Sequence, residues 1–212
     1  MRVLIGAAAL FLLVWGNQAH AVVINPSFES GTLGWASTSV GRFGAGVTGA
    51  FATDGIRSYR IFSQTTCASS FCGRLSFSNG QFRSLSQSID LTSVDELLFD
   101  TTLDSSGGAT AYQSFIRAAV YLGSTLIWSS QTHGTVTDIA VDTSAISGNV
   151  ALSFALEATG SGVDSQSDWF FIDNIRAAVV AVPAPHTIWL VMVGLFALAR
   201  RRRAEKIVQL SS

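Results

Sequence analysis

Few residues in this chain could do chemistry. Cys67 and Cys72 are its two cysteines, and their C-x4-C spacing predicts a disulfide once the chain reaches an oxidising compartment. Closing so short a loop contributes on the order of 2 kcal/mol, so the bond would fix a loop shape rather than hold the fold. A zinc site needs more nitrogen or sulfur ligands than these two cysteines and the isolated His133 supply.

The sequence contains no motif of a familiar catalytic centre. It lacks the nucleophile elbow, the zinc-protease motif, the P-loop and the glycine-rich dinucleotide loop. Nothing in the sequence orients His133, which stands beside Gly134 and is interpreted as a solvated loop histidine. Asp100 and Asp104 are expected at turns or on exposed faces. We therefore predict no enzyme and no catalytic residue, with a glycan-active hydrolase as an alternative that needs two close acids in one cleft.

Aromatic side chains offer a second kind of chemistry, because sugar rings stack on exposed tyrosine and tryptophan faces. Tyr112 follows a Gly-Gly loop and is the ring we expect to be exposed. Trp128 is the second candidate, although its neighbours favour a buried strand. Trp35 and Trp169 are expected in the core, so Tyr112 and Trp128 are the candidate ligand-binding residues.

The elements that must position these residues are β-strands. Short apolar or alternating segments recur between breaks rich in Gly, Ser, Asn and Asp, and the central region shows no capped helical period. Nine strands at this spacing predict an all-β fold, an antiparallel β-sandwich of the jelly-roll type. The predicted strands are residues 46–53, 58–64, 83–90, 97–103, 114–122, 125–130, 135–142, 149–158 and 168–178.

The N-terminus has the order of a secretory signal peptide. Arg2 precedes an uncharged apolar run at residues 3–15, which is too short to span a bilayer comfortably. The small residues Ala19 and Ala21 stand where signal peptidase requires them. We predict that residues 1–21 form a signal peptide helix, that signal peptidase is a partner, and that the mature chain begins at Val22.

A second apolar segment predicts a membrane helix near the C-terminus. Residues 177–199 carry no charged side chain, counting His186 as neutral, and the transmembrane helix is expected at about residues 187–199. A basic cluster follows at once, formed by Arg200, Arg201, Arg202 and Arg203. Positive charge stays on the cytoplasmic side, so the tail at residues 205–212 should remain inside while the rest is exported.

Residues 22–180 form the predicted β-sandwich domain between these two segments. The domain has seven arginines, no lysine and thirteen acidic residues, which gives a charge of −6. The whole-chain charge of −1 is therefore an average over an acidic domain and basic ends. An acidic domain is repelled by phosphate backbones, so we predict that no nucleic acid is a partner.

The C-terminal pattern resembles the PEP-CTERM sorting signal of Gram-negative bacteria. The sequence Val182-Pro-Ala-Pro185, the apolar helix and the arginine cluster carry the resemblance over residues 181–204, although the family usually has Glu where this chain has Ala184. The resemblance implies that an exosortase reads Pro183, Pro185 and the cluster Arg200 to Arg203. It also implies a precursor anchored in the inner membrane and a final place in the periplasm, at the cell surface or outside the cell.

The two ends of the central domain carry a second resemblance. The opening Asn25-Pro-Ser-Phe-Glu29 with Gly34-Trp35, and the closing segment 169–176 with its Ile-Asp-Asn-Ile, are similar to the galactose-binding-like jelly roll of several carbohydrate-binding modules. The resemblance implies that the two ends of the domain lie together and that Glu29 and Asp173 hold a structural calcium ion. Calcium takes several oxygen ligands. The alternative for Asp173 is a strand-end turn with local hydrogen bonds.

These expectations combine into one functional hypothesis. The protein would be an exported, non-enzymatic surface or extracellular-matrix protein, with polysaccharide as its expected partner. A purely structural matrix or biofilm component without a small ligand is the first alternative. The hydrolase is the second.

Overall fold

A computed structural model describes residues 23–63, 75–106, 110–164 and 166–178. Within those ranges the chain forms twelve β-strands and no α-helix, which confirms the predicted all-β class. The same ranges contain no helix with the length and apolar character of a membrane span; the predicted signal peptide and the helix at about residues 187–199 lie outside them. The strands are β1 (Ala36–Val40), β2 (Phe43–Thr48), β3 (Ser58–Ser63), β4 (Leu75–Phe77), β5 (Phe82–Asp90), β6 (Glu96–Ser105), β7 (Ile116–Leu122), β8 (Thr125–Ser130), β9 (Gly134–Asp142), β10 (Asn149–Ala158), β11 (Gly162–Asp164) and β12 (Asp168–Ala178).

Ten of these strands form two five-stranded antiparallel sheets. Sheet A has the order β1-β5-β10-β7-β8, and sheet B has the order β2-β3-β12-β6-β9. The short strands β4 and β11 pair with each other in a separate two-stranded sheet. Consecutive strands in the sequence often lie in different sheets, so the predicted antiparallel sandwich is confirmed with jelly-roll-like crossovers.

The core lies between the two sheets. Phe99 of sheet B meets Phe154 of sheet A edge to face, with ring centroids 5.4 Å apart, and both side chains are fully buried. On β10 the residues Leu152, Phe154 and Leu156 all belong to the core. Successive side chains on a strand point to opposite faces, so the residues between them lie on the outer face of sheet A.

The domain's opening motif packs against its closing motif, as predicted. The Ile175 amide donates to the Pro26 carbonyl oxygen at 3.3 Å. Phe28 is fully buried, and Trp35, predicted to be in the core, is 8% exposed. The Phe28 ring lies between the rings of Trp35 and Tyr59, with centroid distances of 5.5 and 5.4 Å. The aromatic residues of the opening motif therefore close one part of the core.

The strand predicted at residues 46–53 is wrong in its limits. Strand β2 begins at Phe43 and ends at Thr48, where it pairs with Ser58, and residues 49–57 form a loop. Phe51, an apolar residue inside the predicted limits, belongs to this loop and packs on Phe171 with ring centroids 4.7 Å apart. The ring packs against the outer face of sheet B, and the residue itself belongs to no strand. The other eight predicted strands are confirmed with shifts of a few residues at their ends.

Candidate binding face and buried carboxylates

The outer face of sheet A has a floor of small side chains. One row crosses all five strands in register, because each residue pairs with the next. The row consists of Thr38, Ser84, Ala155, Ala119 and Ser129. Such a row leaves the middle of the sheet low, so that longer side chains on either side of it stand above the floor.

Three long side chains meet above this floor. Arg117 Nε donates to Glu157 Oε1 at 2.5 Å, and the Tyr121 hydroxyl donates to the same oxygen at 2.8 Å. Arg117 Nη2 reaches the Tyr121 hydroxyl oxygen at 3.2 Å. Arg117 and Tyr121 lie on either side of Ala119 on β7, which explains why Ala119 is fully buried although it faces outward. We call Arg117, Tyr121 and Glu157 the face triad.

The charges within the face triad balance each other. Burial, and then the hydrogen bond to Glu157, raise the pKa of Tyr121 above its usual value. The hydrogen bond to Glu157 also raises the pKa of Arg117. The tyrosine is thus neutral and the arginine charged at physiological pH, and the arginine charge is balanced by Glu157. Val40 and Leu126, 49% and 40% exposed, add apolar surface on the edge strands of sheet A.

The two aromatic residues selected from the sequence lie elsewhere. Tyr112 is 6% exposed, so the prediction that its ring is exposed is wrong. Its hydroxyl donates to the Trp169 carbonyl oxygen and its ring meets His133 edge to face. Trp128 points inward from β8, where it stacks on Phe170 with centroids 6.2 Å apart. Tyr112 is thus buried and Trp128 is partly buried with a stacked partner, and their role in ligand binding stays an untested prediction.

Glu29, predicted to hold calcium, forms hydrogen bonds with the loop at residues 49–57. Its Oε1 accepts hydrogen bonds from the amides of Ile56 and Arg57 at 2.8 and 2.9 Å. Arg57 Nη1 returns a bond to the Glu29 carbonyl oxygen at 3.2 Å. A Cβ at Gly55 would collide with Glu29 Oε1, so the carboxylate fits against bare backbone.

Asp173, the second predicted calcium ligand, holds the same loop at another point. Its Oδ2 accepts from the amides of Thr53 and Asp54 at 2.6 and 2.9 Å, and its Oδ1 accepts from the Asn174 amide at 2.8 Å. Asp54 in turn accepts from the Ser27 hydroxyl at 2.5 Å. Burial raises the pKa of Asp173 against the lowering effect of these amides.

Asp100 lies directly opposite Asp173 in the pairing of β6 with β12. Each neighbouring strand bulges beside it, and the bulged strands carry Asp138 and Asn174 at positive φ of 54° and 51°. The Asp138 amide donates to Asp100 Oδ1 at 2.7 Å, and Asn174 Nδ2 donates to Oδ2 at 3.0 Å. Burial acts to raise the pKa of Asp100, but the hydrogen bonds, led by that from Thr53, outweigh it and hold the pKa below its usual value.

These contacts do not fit a calcium ion between Glu29 and Asp173. A calcium ion needs six to eight oxygen atoms around it, whereas both carboxylates here are surrounded by N–H donors. Among the described residues, no group of three or more His, Cys, Asp and Glu side chains is placed to hold a metal. Loop amides satisfy the charge that a cation would otherwise balance. Calcium binding at this pair remains an untested prediction, and we derive no function from it.

Sequence reasoning missed the residues that define the candidate face. Tyr121, Arg117 and Glu157 sit in strands that were predicted correctly, but their meeting depends on the register between β7 and β10. The alternation of β7 around its buried Ala118 and Val120 was a usable signal for their outward direction. Asp100, expected at a turn or on an exposed face, is 2% exposed inside β6, so that expectation is wrong. The predicted disulfide partners Cys67 and Cys72 lie outside the described residues.

The predicted sorting signal is confirmed by sequence comparison. A family model of the PEP-CTERM protein-sorting motif matches residues 181–203, which contain Pro183, Pro185 and Arg200 to Arg203. The motif implies an exported protein with a C-terminal sorting signal. No curated protein sequence matches the chain.

Several solved structures resemble the chain at low identity, and carbohydrate-binding modules are prominent among them. A carbohydrate-binding module, TmCBM61, solved with β-1,4-galactotriose, is 17% identical over 76% of this chain and 100% of its own, with a TM-score of 0.46. The CBM22-1 xylan-binding domain of Xyn10C from Paenibacillus barcinonensis is 22% identical over 74% of this chain and 93% of its own, with a TM-score of 0.40. The enzymatically active domain of tailspike protein 4 from bacteriophage CBA120 is 12% identical over 76% of this chain and 21% of its own, with a TM-score of 0.41.

Proposed function

We propose that this exported protein is a non-enzymatic component of the cell surface or extracellular matrix that binds polysaccharide on the outer face of sheet A. The observation that carries the proposal is the face triad, in which Tyr121, Glu157 and Arg117 share hydrogen bonds above a floor of small side chains. A signal peptidase and an exosortase would act on the chain during export, from an inner-membrane precursor.

The chemistry of the face suits a sugar. A tyrosine ring offers an apolar surface to the C–H groups of a pyranose, and a few placed polar groups fix its orientation. Glu157 accepts hydrogen bonds from sugar hydroxyls and Arg117 donates to them, and hydrogen bonds to charged groups are the stronger kind. The charges of Arg117 and Glu157 cancel, which favours a neutral polysaccharide over a charged one.

The sheet also suits a chain rather than a single sugar. The small-residue row continues across all five strands to Thr38 on one edge and Ser129 on the other. An extended oligosaccharide could cross the strands along this row, whose own members are all small, and reach the triad. A floor of this kind binds several sugar units weakly, each with its own few contacts.

The hydrolase alternative gains nothing from the acids of the described residues. Asp100 and Asp173 face each other, but each is 2% exposed and both are occupied by loop and strand donors. Glycoside hydrolysis needs two carboxyl groups on either side of a bound sugar. The acid of the face triad, Glu157, whose side chain is 17% exposed, has an arginine and a tyrosine as partners rather than a second acid.

A glycan array on the full-length chain, purified in detergent, tests the proposal. Wild type should bind neutral polysaccharides, and Tyr121→Ala should weaken that binding at least about tenfold, equivalent to 1.4 kcal/mol. Tyr121→Phe should weaken it less, because it keeps the ring. Phe51→Ala is the control, since it removes a partly exposed ring from the loop that packs on the outer face of sheet B.

Each outcome of the array has a clear meaning. Binding to no glycan would favour the purely structural matrix component. Binding that Tyr121→Ala leaves unchanged while Phe51→Ala reduces it would move the site to the other sheet. Release of shorter sugars from a bound polysaccharide would favour the hydrolase.

A further inference from the structure

Two aspartates are buried side by side at the junction of the small sheet and sheet B. Asp164 is the last residue of β11, and Asp168 is the first residue of β12. Asp164 is 0% exposed and Asp168 is 1% exposed. Neither residue belongs to the face triad or to the loop held by Glu29 and Asp173. The burial of these two acids is therefore not explained by either of those sites.

One carboxylate oxygen of each aspartate lacks a donor among the described residues. Asp164 Oδ1 accepts from the Gln166 amide at 2.9 Å. The Oδ2 atoms of Asp164 and Asp168 are both buried, and neither accepts a hydrogen bond from an N–H or hydroxyl group of the described residues, so the two carboxyl groups have each other as partners. A buried carboxylate oxygen that lacks a partner is costly, and two of them against each other are costlier. Something positive must lie between them when both are ionised.

The protein supplies no positive side chain for this purpose within its described residues. The ion pairs found there are Arg117–Glu157 and Arg176–Asp138, both outside this junction. The charged groups that act on the neighbouring Tyr112 are Asp168 and Asp104, and neither is positive. The charged group that acts on Asp168 itself is Asp164, which is also an acid.

We propose that Asp164 and Asp168 form a binding site for a divalent cation, with calcium as the preferred ion. Carboxylate oxygens are the ligands that hard cations take up most readily, and calcium tolerates irregular sets of oxygen donors. Two further side-chain oxygens belong to the segments around the pair: Ser63 Oγ, which accepts from the Asp168 amide at 2.8 Å, and Gln166 Oε1. Backbone carbonyls and water would complete the coordination, as they do in many calcium sites.

Both carboxyl groups must be deprotonated to hold a cation, so binding of the ion should weaken at acidic pH.

Terbium is a suitable probe, because it replaces calcium at oxygen sites and its luminescence is excited through nearby aromatic rings. Trp169 follows Asp168 directly, and the Tyr112 hydroxyl bonds to its carbonyl oxygen. The experiment titrates full-length protein in detergent with terbium at pH 8 and then displaces terbium with calcium. The variants are Asp164→Asn and Asp168→Asn, and Glu29→Gln is the matched control at the other acidic position.

Wild type and Glu29→Gln should show sensitised luminescence that calcium displaces, and either aspartate variant should weaken the affinity at least tenfold. Loss of the signal in Glu29→Gln but not in the aspartate variants would overturn the proposal and place the ion at the opening motif. Should the aspartate variants fail to fold, the melting temperature of Glu29→Gln in calcium and in EDTA decides. A higher melting temperature in calcium than in EDTA supports the site. Equal melting temperatures in the two conditions, with no terbium signal, show that the aspartate pair holds a proton and no metal.

Discussion

Asp100 and Asp173 face each other across β6 and β12, and one hydroxyl group stands between them. Thr53 Oγ1 lies 2.6 Å from Asp100 Oδ2 and 3.2 Å from Asp173 Oδ2. The hydroxyl proton can serve one carboxylate at a time, and the shorter distance assigns it to Asp100. The threonine amide serves Asp173 at 2.6 Å. A single loop residue thus separates two buried negative charges.

Removing this hydroxyl should destabilise the fold. Thr53→Val keeps the shape of the side chain and the amide bond to Asp173, but it takes away a donor from the buried Asp100 oxygen. We expect a loss of about 1–3 kcal/mol in the free energy of unfolding, measured by urea denaturation. Thr38→Val, on the exposed edge strand β1, is the control and should change stability by less than about 0.5 kcal/mol. Equal effects of the two substitutions would show that the hydroxyl is not needed between the acids.

Gly55 should be far less tolerant of a side chain than Gly31. Both glycines have positive φ, +75° and +72°, so alanine is strained at either position. A Cβ at Gly31 meets nothing within 4 Å, whereas a Cβ at Gly55 meets the Glu29 carboxylate. Gly31→Ala should cost about 1 kcal/mol in unfolding free energy and Gly55→Ala clearly more.

A double-mutant cycle separates the two causes. In a Glu29→Ala background, the added cost of Gly55→Ala should fall to that of Gly31→Ala, because the colliding carboxylate is gone. An undiminished cost in that background would mean that backbone strain alone explains the glycine.

The stability of the metal-free protein should fall as the pH rises from 5 to 8. The pKa of Asp168 is raised to about 8 in the folded state, from an ordinary value of 3.8. In this window the folded state keeps a proton that the unfolded state has lost, so the unfolding free energy decreases with pH and levels off above 8. We expect a loss of at least about 1 kcal/mol in EDTA, measured by urea denaturation at each pH.

Asp168→Asn supplies the control for this pH dependence. The amide cannot ionise, so the variant should lose most of the decline between pH 5 and 8. A decline that is as steep in the variant as in wild type would assign the effect to other groups.

Processing of the sorting signal can be read from the mass of the exported protein. The mature form should begin at Val22 and lack the residues after about Pro185, including the arginine cluster. Replacing Arg200, Arg201, Arg202 and Arg203 with glutamine should impair this processing, because positive charge behind the predicted helix would set its orientation. An intact arginine cluster on the exported protein would refute processing at this position. Ala184→Glu restores the usual family residue and should make cleavage more complete.

Much of the fold was predictable because apolar periodicity marks strands that bury one face. Eight of the nine predicted strands are present close to their predicted limits, and most of these bury at least one face. Strand β1 escapes it, since all five of its residues, Ala-Ser-Thr-Ser-Val, are exposed. Strands β4 and β11 have three residues each, too few to show a period. Edge pairing and short bridges are set by tertiary contacts rather than by local sequence.

The candidate sites were less predictable than the fold. Asp100, Asp164, Asp168 and Asp173 look alike in the sequence as single acids near turns, yet all four are buried. Their burial follows from the register between strands distant in the chain, which no local pattern encodes. The bulge positions Asp138 and Asn174 carried a faint signal, because Asp and Asn adopt positive φ more readily than most residues. The face triad likewise depends on a pairing between residues 36 and 40 positions apart.

The bulge at Asp138 also has a consequence for how the molecule meets its neighbours. Strand β9 is an open edge of sheet B, nine residues long and largely exposed. A straight edge of this length would be a template for a strand of another molecule, and crowding outside the cell would increase that risk of aggregation. The extra residue bends the edge and places an aspartate, paired with Arg176, in its middle. The bulge at Asp138 therefore disfavours the addition of a strand from another molecule to this edge of sheet B.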